Sequence, residues 1–170
     1  MEQDILFKET QKFDQWWLKV LLLGINLLFL YGIYGQMFLG GLFGSNPMSN
    51  LGLILVTLLS ISASILLLQV KLKTLIKADG VYFRFYPLQR EFKFYPWEEI
   101  LKSRVREYSP LKEFGGWGWR FSVLGKGIAY TVSGNQGLQL KLKGNKRVLI
   151  GTNKPEELKK VLQDLNKCTQ

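Results

Sequence analysis

The sequence predicts an α+β protein in which an N-terminal transmembrane helical hairpin precedes an antiparallel β-barrel or sandwich closed by a C-terminal α-helix. Three observations lead to this prediction. Residues 20–70 contain no Asp, Glu, Lys or Arg. After residue 70, apolar residues recur at every second position, as in strands. Near the end of the chain, a helical apolar stripe is formed by Leu158, Val161, Leu162 and Leu165.

Two stretches of the uncharged run are long enough to cross a membrane. A helix rises about 1.5 Å per residue, so about 20 apolar residues cross a hydrocarbon core of roughly 30 Å. Residues 16–39 and 51–70 meet this length, and the Gly-rich residues 40–50 form a short loop between them. A signal peptide fits poorly, because Glu9 and Asp14 precede the first apolar run and no small-residue cleavage pattern follows it.

The charges that flank the two stretches predict their orientation. Lysines lie before the first stretch and after the second, whereas the loop at residues 40–50 has no charge. The positive-inside rule therefore places the N-terminal segment 1–15 and the domain 71–170 in the cytoplasm. We expect a multi-pass protein of the inner (cytoplasmic) membrane with both termini inside and a short external loop.

Polar residues within the two stretches predict how the helices pair. Apolar side chains gain little from one another in lipid, so small and polar residues mark helix interfaces. Asn26 lies about 14 Å into the first stretch, and Ser60 and Ser64 lie about 15 and 9 Å from the same side. Thr57 shares their helical face, so we expect Asn26 to face these three residues. The alternatives are a bond from Asn26 to its own backbone and a contact with a second protomer in a homo-oligomer.

The segment 71–170 has the pattern of a small β domain. Turn signals recur about every ten residues, among them Asp79-Gly80, Ser109-Pro110 and Gly144-Asn145. They predict an antiparallel meander of seven or eight short strands. Asn153 and Glu156 have the spacing of a capping box at the start of the closing helix.

Four strings in this segment are distinctive: DGVYFRFYP at 79–87, PWEEI at 96–100, REYSPLKEFGGWGWR at 106–120 and SGNQGLQLKLKGNKRVLIGTNKPEELKKVL at 133–162. They resemble bacterial pleckstrin-homology-like domains. Two membrane helices ahead of such a domain resemble a family of small, uncharacterised bacterial membrane proteins. The resemblance implies a pleckstrin-homology-like fold and carries no established activity.

Basic residues dominate the segment 71–170, with 20 Lys and Arg against 9 Asp and Glu. Strand alternation places Lys102, Arg104 and Arg106 on one side of one strand, with Arg84 and Lys93 as neighbours from adjacent strands. This row suits an anion-binding face for phospholipid headgroups or a protein partner. An ordinary solvated strand face, or an edge strand protected by its charges, fits the same pattern.

A Gly-rich aromatic block at residues 115–119 is a second candidate. If the block is extended, Trp117 and Trp119 lie on one face and could contact a membrane or a ligand. The alternative is a glycine bulge with both indoles packed in the core or at its rim.

The residue inventory argues against an enzyme. The chain has no His and one Cys, which removes Ser-His-Asp catalysis and imidazole zinc sites. The adjacent Glu98 and Glu99 lack partners for metal binding or acid–base chemistry, so we expect no catalytic residue, metal or cofactor. No nucleic-acid motif is present. The sequence thus favours a non-enzymatic, membrane-anchored binding or scaffold module. The alternative is an accessory subunit of a larger membrane complex, for transport or envelope stress, assembled mainly through its helices.

Overall fold

The computed structural model describes residues 5–122 and 125–168, so the ends of the predicted segments 1–15 and 71–170 lie outside the described residues. The described chain forms two compact units. One is helical and covers Phe13–Gln69, and the other is a β domain that combines residues 5–12 with residues 70–168.

The helical unit contains the two predicted helices, α1 at Trp16–Phe38 and α2 at Asn50–Gln69. Both are long and apolar enough to cross a membrane. The connection folds back on α1, where the Phe43 ring lies 2.9 Å from the point that a Cβ on Gly32 would occupy. Only glycine at position 32 allows this approach.

The strands of the β domain form two hydrogen-bonded sheets. The first is antiparallel in the order β1-β2-β3-β4 and consists of β1 (Ile5–Lys12), β2 (Lys71–Lys77), β3 (Gly80–Tyr86) and β4 (Lys93–Pro96). The second has the order β5-β8-β9-β7-β6 and consists of β5 (Ile100–Glu107), β6 (Gly118–Phe121), β7 (Ile128–Thr131), β8 (Gln136–Leu142) and β9 (Arg147–Gly151). A short helix α3 (Pro110–Phe114) lies between β5 and β6, and α4 (Pro155–Asp164) ends the domain.

The second sheet is not the predicted antiparallel meander. Strand β9 inserts between β8 and β7, and its pairing with β7 is parallel, with Ile128 opposite Val148 and Tyr130 opposite Ile150. Side-chain alternation reports which face of a strand is buried, but it carries no information about strand order or direction. The strands of the described chain form two separate sheets rather than one closed barrel.

Strand β1 is the largest departure from the sequence analysis, which treats residues 1–15 as a segment apart from the domain. It pairs along its length with β2, from Ile5 opposite Lys77 to Lys12 opposite Lys71. Its inward-facing side chains are Phe7, Glu9 and Gln11. Because two of these three are polar, the strand lacks the apolar alternation by which strands are recognised.

The buried carboxylate of Glu9 joins β1 to the far end of the chain. Its oxygens accept hydrogen bonds from Thr152 Oγ1 at 2.6 Å, Asn153 N at 2.7 Å and Gln11 Nε2 at 3.0 Å. Gln11 Nε2 also donates to Gly151 O at 2.7 Å. Burying a carboxylate is costly unless it is well hydrogen-bonded, and these donors meet that requirement.

The expected capping box at α4 does not form. Lys154 occupies the N-cap position with no side-chain bond to the helix. The Asn153 side chain bonds Ser133 instead, with Nδ2 donating to Ser133 Oγ at 3.1 Å. The predicted apolar stripe is nevertheless the packed face of α4, since Leu158 and Leu162 are fully buried.

Aromatic side chains fill the space between the two sheets. Tyr130 of β7 lies 4.8 Å from Phe83 and 6.1 Å from Phe85 of β3, measured between ring centroids. All three are buried. This contact supports the two sheets against each other and leaves the outer face of the second sheet available for polar side chains.

Candidate functional site

An open concavity of about 410 Å³ lies on the second sheet. Its lining is strongly basic: six cationic side chains face one carboxylate, so its net charge is +5. The lining residues are Lys102, Arg104, Arg106, Glu113, Lys126, Gln139, Lys141 and Arg147. The predicted row of residues 102, 104 and 106 therefore forms one wall of a larger basic surface.

Strand register places three of these cations in one line across the sheet. Lys102 of β5 is opposite Lys141 of β8, which is opposite Arg147 of β9. Directly opposed side chains on adjacent strands have Cβ atoms about 4.5–5.5 Å apart, so like charges there destabilise the sheet. We call Lys102, Lys141 and Arg147 the cross-strand row.

Arg106 has a different role from its neighbours. It forms an ion pair with Glu113 through two bonds of 3.2 and 2.9 Å. Its remaining donors reach Gln139 Oε1 and Glu107 O. Because all five guanidinium N–H groups have protein partners, Arg106 braces α3 against β5.

Glu113 is correspondingly saturated. It accepts from Ser109 N at 3.0 Å and lies 3.2 Å from Lys126 Nζ, in addition to its bonds with Arg106. The Arg106 guanidinium, helped by these donors, lowers the pKa of the Glu113 carboxyl to about 2. Lys126 precedes Gly127, whose φ of +94° and close approach to Arg147 O exclude a side chain. The tight loop holds Lys126 near the concavity.

We expect Glu113→Gln to lower the free energy of unfolding by about 2 kcal/mol at pH 7. Since the folded-state pKa lies below the unfolded one, this stabilisation is complete above about pH 4.5 and is lost as the pH falls towards 2. Unfolding of both proteins in nonionic detergent, followed by tryptophan fluorescence between pH 7 and 2.5, measures the difference. A constant difference over that range would contradict the assignment.

Arg84 and Lys93 do not join this surface, because they lie on the first sheet. The Arg84 guanidinium lies 4.8 Å from the Phe92 ring centroid and donates to Arg90 O. Lys93 Nζ donates to Tyr130 Oη at 3.1 Å. Arg84 and Lys93 precede β5 closely in sequence, but the chain passes from the first sheet to the second between β4 and β5, which separates them from that strand.

The two tryptophans also have separate environments. Trp119 stacks on Tyr130 with centroids 5.9 Å apart, and Lys93 Nζ lies 5.9 Å from its ring. Trp117 donates its indole N–H to Gly134 O at 2.8 Å. Both rings pack at the rim of the domain, and neither lines the basic concavity.

The structure brings three of the four predicted helix-interface residues together: Asn26, Ser60 and Ser64. Asn26 Nδ2 donates to Ser64 Oγ at 2.9 Å, and Ser60 Oγ donates to Asn26 Oδ1 at 3.0 Å. Asn26 also bonds its own backbone at Leu22 O. Thr57 is buried on the same helix, and its hydroxyl donates to Leu53 O.

We expect Asn26→Ala to weaken the pairing of α1 and α2 by about 1 kcal/mol, the usual value for such bonds in a bilayer. A double-mutant cycle with Ser60→Ala, measured by unfolding in mixed micelles, isolates the contribution of the pair. Ser62→Ala is the matched control, because Ser62 is exposed on the same helix. Additive effects of the Asn26 and Ser60 changes would refute the contact.

Sequence reasoning missed Lys126, Lys141 and Arg147. A signal for two of them was present, because Leu138, Leu140 and Leu142 face inward and leave Lys141 outward. A hairpin turn at Gly144-Asn145 then pairs Lys141 with Arg147. The pairing of β8 with β5 had no comparable local signal.

No group of three Cys, Asp or Glu side chains suited to a metal ion occurs within residues 5–122 and 125–168. Glu98 and Glu99 lie in a short 3-10 turn at Trp97–Glu99.

Comparison with other proteins places the chain at the level of a family. No curated protein and no solved structure matches it. A family of unknown function, DUF6141, matches residues 1–166, which is nearly the whole chain. The chain therefore belongs to the DUF6141 family.

Proposed function

We propose that this protein is a non-enzymatic, membrane-anchored binding module. Its β domain faces the cytoplasmic leaflet and binds anionic lipid headgroups or an acidic protein partner through the basic concavity. The observation that carries the proposal is the cross-strand row, in which three like charges lie side by side without a carboxylate between them. Such a row costs folding free energy, so an anionic ligand is the simplest reason to keep it.

The helical unit supports membrane anchoring. Of the most apolar 18 residues in each helix, only 6 % are buried in α1 and 17 % in α2, so most of the apolar surface is left for lipid. Water would penalise such a surface by about 25 cal/mol per Å². Interhelical hydrogen bonds of Asn26 satisfy polar groups that would find no hydrogen-bond partner in hydrocarbon.

Strand pairing supports one topology. Lys12 and Lys71 are partners in the same sheet, and both helices lie between them in sequence. A chain that enters the membrane after Lys12 therefore leaves it on the same side before Lys71. Together with the flanking lysines, this pairing favours two spans of the inner membrane with both termini in the cytoplasm.

A cysteine-labelling experiment in intact cells tests the topology. In a Cys168→Ser background, we expect Ser45→Cys to react with an impermeant maleimide and Lys160→Cys to react only after lysis. Both positions are exposed, whereas Thr152 is buried and would be a poor probe. Labelling at position 160 from outside would reverse the proposed orientation.

We also propose that the β domain is pleckstrin-homology-like. Two sheets packed through an aromatic core and a closing C-terminal helix support this relationship. The parallel β7–β9 pair and the added strand β1 are further features of this β domain.

Lipid binding by the full chain tests the proposed function. In nonionic detergent, we expect native mass spectrometry to find more phosphatidylglycerol than phosphatidylcholine bound, with the excess falling as salt rises. The double variant Lys102→Gln/Lys141→Gln should lose the excess. Lys159→Gln/Lys160→Gln removes the same charge from the exposed side of α4 and should keep it. Equal binding of both lipids by the wild type would leave a protein partner as the ligand.

A further inference from the structure

The cross-strand row has an electrostatic cost that the described chain does not offset. No ion pair joins Lys102, Lys141 or Arg147 to a carboxylate within residues 5–122 and 125–168. The one acidic lining residue, Glu113, is already engaged with Arg106 and Lys126. No described carboxylate therefore pairs with the row, and an anionic ligand would supply the missing negative charge.

The charge density of the row suits an anionic group that carries more than one charge in a small volume. Three cations lie on adjacent strands, each strand about 4.8 Å from the next. Arg104 adds a fourth, two residues from Lys102 on β5. A phosphodiester carries one negative charge, whereas a phosphomonoester carries up to two on a single phosphorus with three acceptor oxygens. The second kind of group can contact several of these donors at once.

We propose that the concavity takes a phosphomonoester or diphosphate group seated on Lys102, Lys141 and Arg147. This inference rests on the proposed function and names its ligand class. The planar Arg147 fork can bond two phosphate oxygens, and the lysines supply point charges on the other side. A volume of about 410 Å³ is sufficient for such a group with its immediate substituent.

The same lining argues against a nucleic acid. Single strands are held by bases stacked on aromatic rings as well as by phosphate contacts. The eight lining residues include no aromatic side chain. Recognition here depends on the phosphate, which a lipid headgroup or a small soluble compound can supply equally.

Two measurements on the full chain in nonionic detergent at pH 8 test the inference and separate the two sources. Native mass spectrometry compares phosphatidic acid, a monoester, with phosphatidylglycerol and phosphatidylcholine. Calorimetry measures inorganic diphosphate. We expect phosphatidic acid to bind about tenfold more tightly than phosphatidylglycerol, and diphosphate to bind with a salt-dependent Kd.

The outcomes are distinguishable. A preference for phosphatidic acid alone assigns the site to a lipid, a response to diphosphate alone assigns it to a soluble phosphate, and both together show that the phosphate suffices. Equal binding of phosphatidic acid and phosphatidylglycerol, above phosphatidylcholine and without diphosphate binding, overturns this inference and leaves the proposed function intact. If neither the anionic lipids nor diphosphate binds, this inference and lipid binding by the concavity are both overturned.

Variants locate the ligand. Lys141→Gln, at the centre of the row, should reduce binding about tenfold, and the triple variant with Lys102→Gln and Arg147→Gln should abolish it. Because these changes remove like-charge repulsion, the unfolding temperature should stay equal or rise. The control Lys159→Gln/Lys160→Gln should bind as the wild type does. Undiminished binding by the triple variant would show that the ligand lies elsewhere.

Discussion

A chain that starts at Lys71 is expected to lose the folded β domain, whereas a chain that joins β1 to β2 by a short turn keeps it. Removing β1 takes the buried Phe7 side chain out of the core, which costs about 2–3 kcal/mol of folding free energy. It also leaves Thr152 Oγ1 and the Asn153 N–H without their acceptor, at about 1–3 kcal/mol each. The total approaches the entire stability of a small domain.

The pairing of Lys12 with Lys71 makes the test direct. Replacing residues 14–69 with a short Asn-Gly turn closes β1 and β2 into a hairpin and removes both apolar helices. We expect this soluble chain to show dispersed amide NMR signals and cooperative unfolding. The chain of residues 71–168 should show neither, and equal folding of the two would contradict the role of β1.

A point variant separates the carboxylate from the strand. Glu9→Ala should destabilise the helix-free chain by about 3 kcal/mol, because three donors lose a buried acceptor. Thr10→Ala, on the exposed side of the same strand, is the matched control and should have little effect.

The helices were predictable because their signal is local. An uncharged apolar run of about 20 residues predicts a helix long enough to cross a membrane, and α1 and α2 end within one residue of the predicted stretches. The depth of polar residues along such helices is also determined by the rise per residue. The sequence alone therefore matches the depth of Asn26 with the depths of Ser60 and Ser64.

Strand β1 and the sheet order were not predictable from local pattern. The pairing of β1 with β2 spans the whole helical unit, and the Glu9 contacts reach 143 and 144 residues along the chain. The parallel insertion of β9 also depends on contacts distant in sequence. Local alternation therefore predicted strands without predicting their neighbours.

Local alternation also explains which part of the candidate site was predictable. Alternation placed Lys102, Arg104 and Arg106 on one side of β5, and all three line the concavity. Alternation could not show that Glu113 neutralises Arg106, because α3 had no recognisable pattern. The cross-strand row instead runs from Lys102 to Lys141 and Arg147, across strands that only the register connects.

Reversing the charge of the cross-strand row is expected to eliminate anionic membrane binding by the soluble, helix-free chain. The cytoplasmic leaflet attracts each nearby Lys or Arg by roughly 1 kcal/mol. Lys102→Glu, Lys141→Glu and Arg147→Glu replace three attractions with three repulsions, about 6 kcal/mol in all. Cosedimentation with phosphatidylglycerol vesicles should fall to the level seen with neutral vesicles.

Arg106 is unsuitable for this test, because Arg106→Glu would place a second carboxylate beside Glu113 and unfold the local structure. A reversal at Lys159 and Lys160 on α4, which changes the net charge by four of these six units, is the control for net charge. The wild-type chain should release vesicles steeply as salt rises, since surface attractions are screened within about 8–10 Å. Unchanged binding by the triple reversal would show that the concavity does not bind the membrane.

The lipids that the full chain retains from its own membrane provide the most direct measurement of the central claim, that a membrane-anchored basic concavity binds anionic groups. The wild type and the Lys102→Gln/Lys141→Gln/Arg147→Gln variant would be extracted in mild detergent and their bound lipids quantified by mass spectrometry. We expect the wild type to retain anionic lipids above their share in the membrane and the variant not to do so. The same lipid profile for both proteins would contradict it.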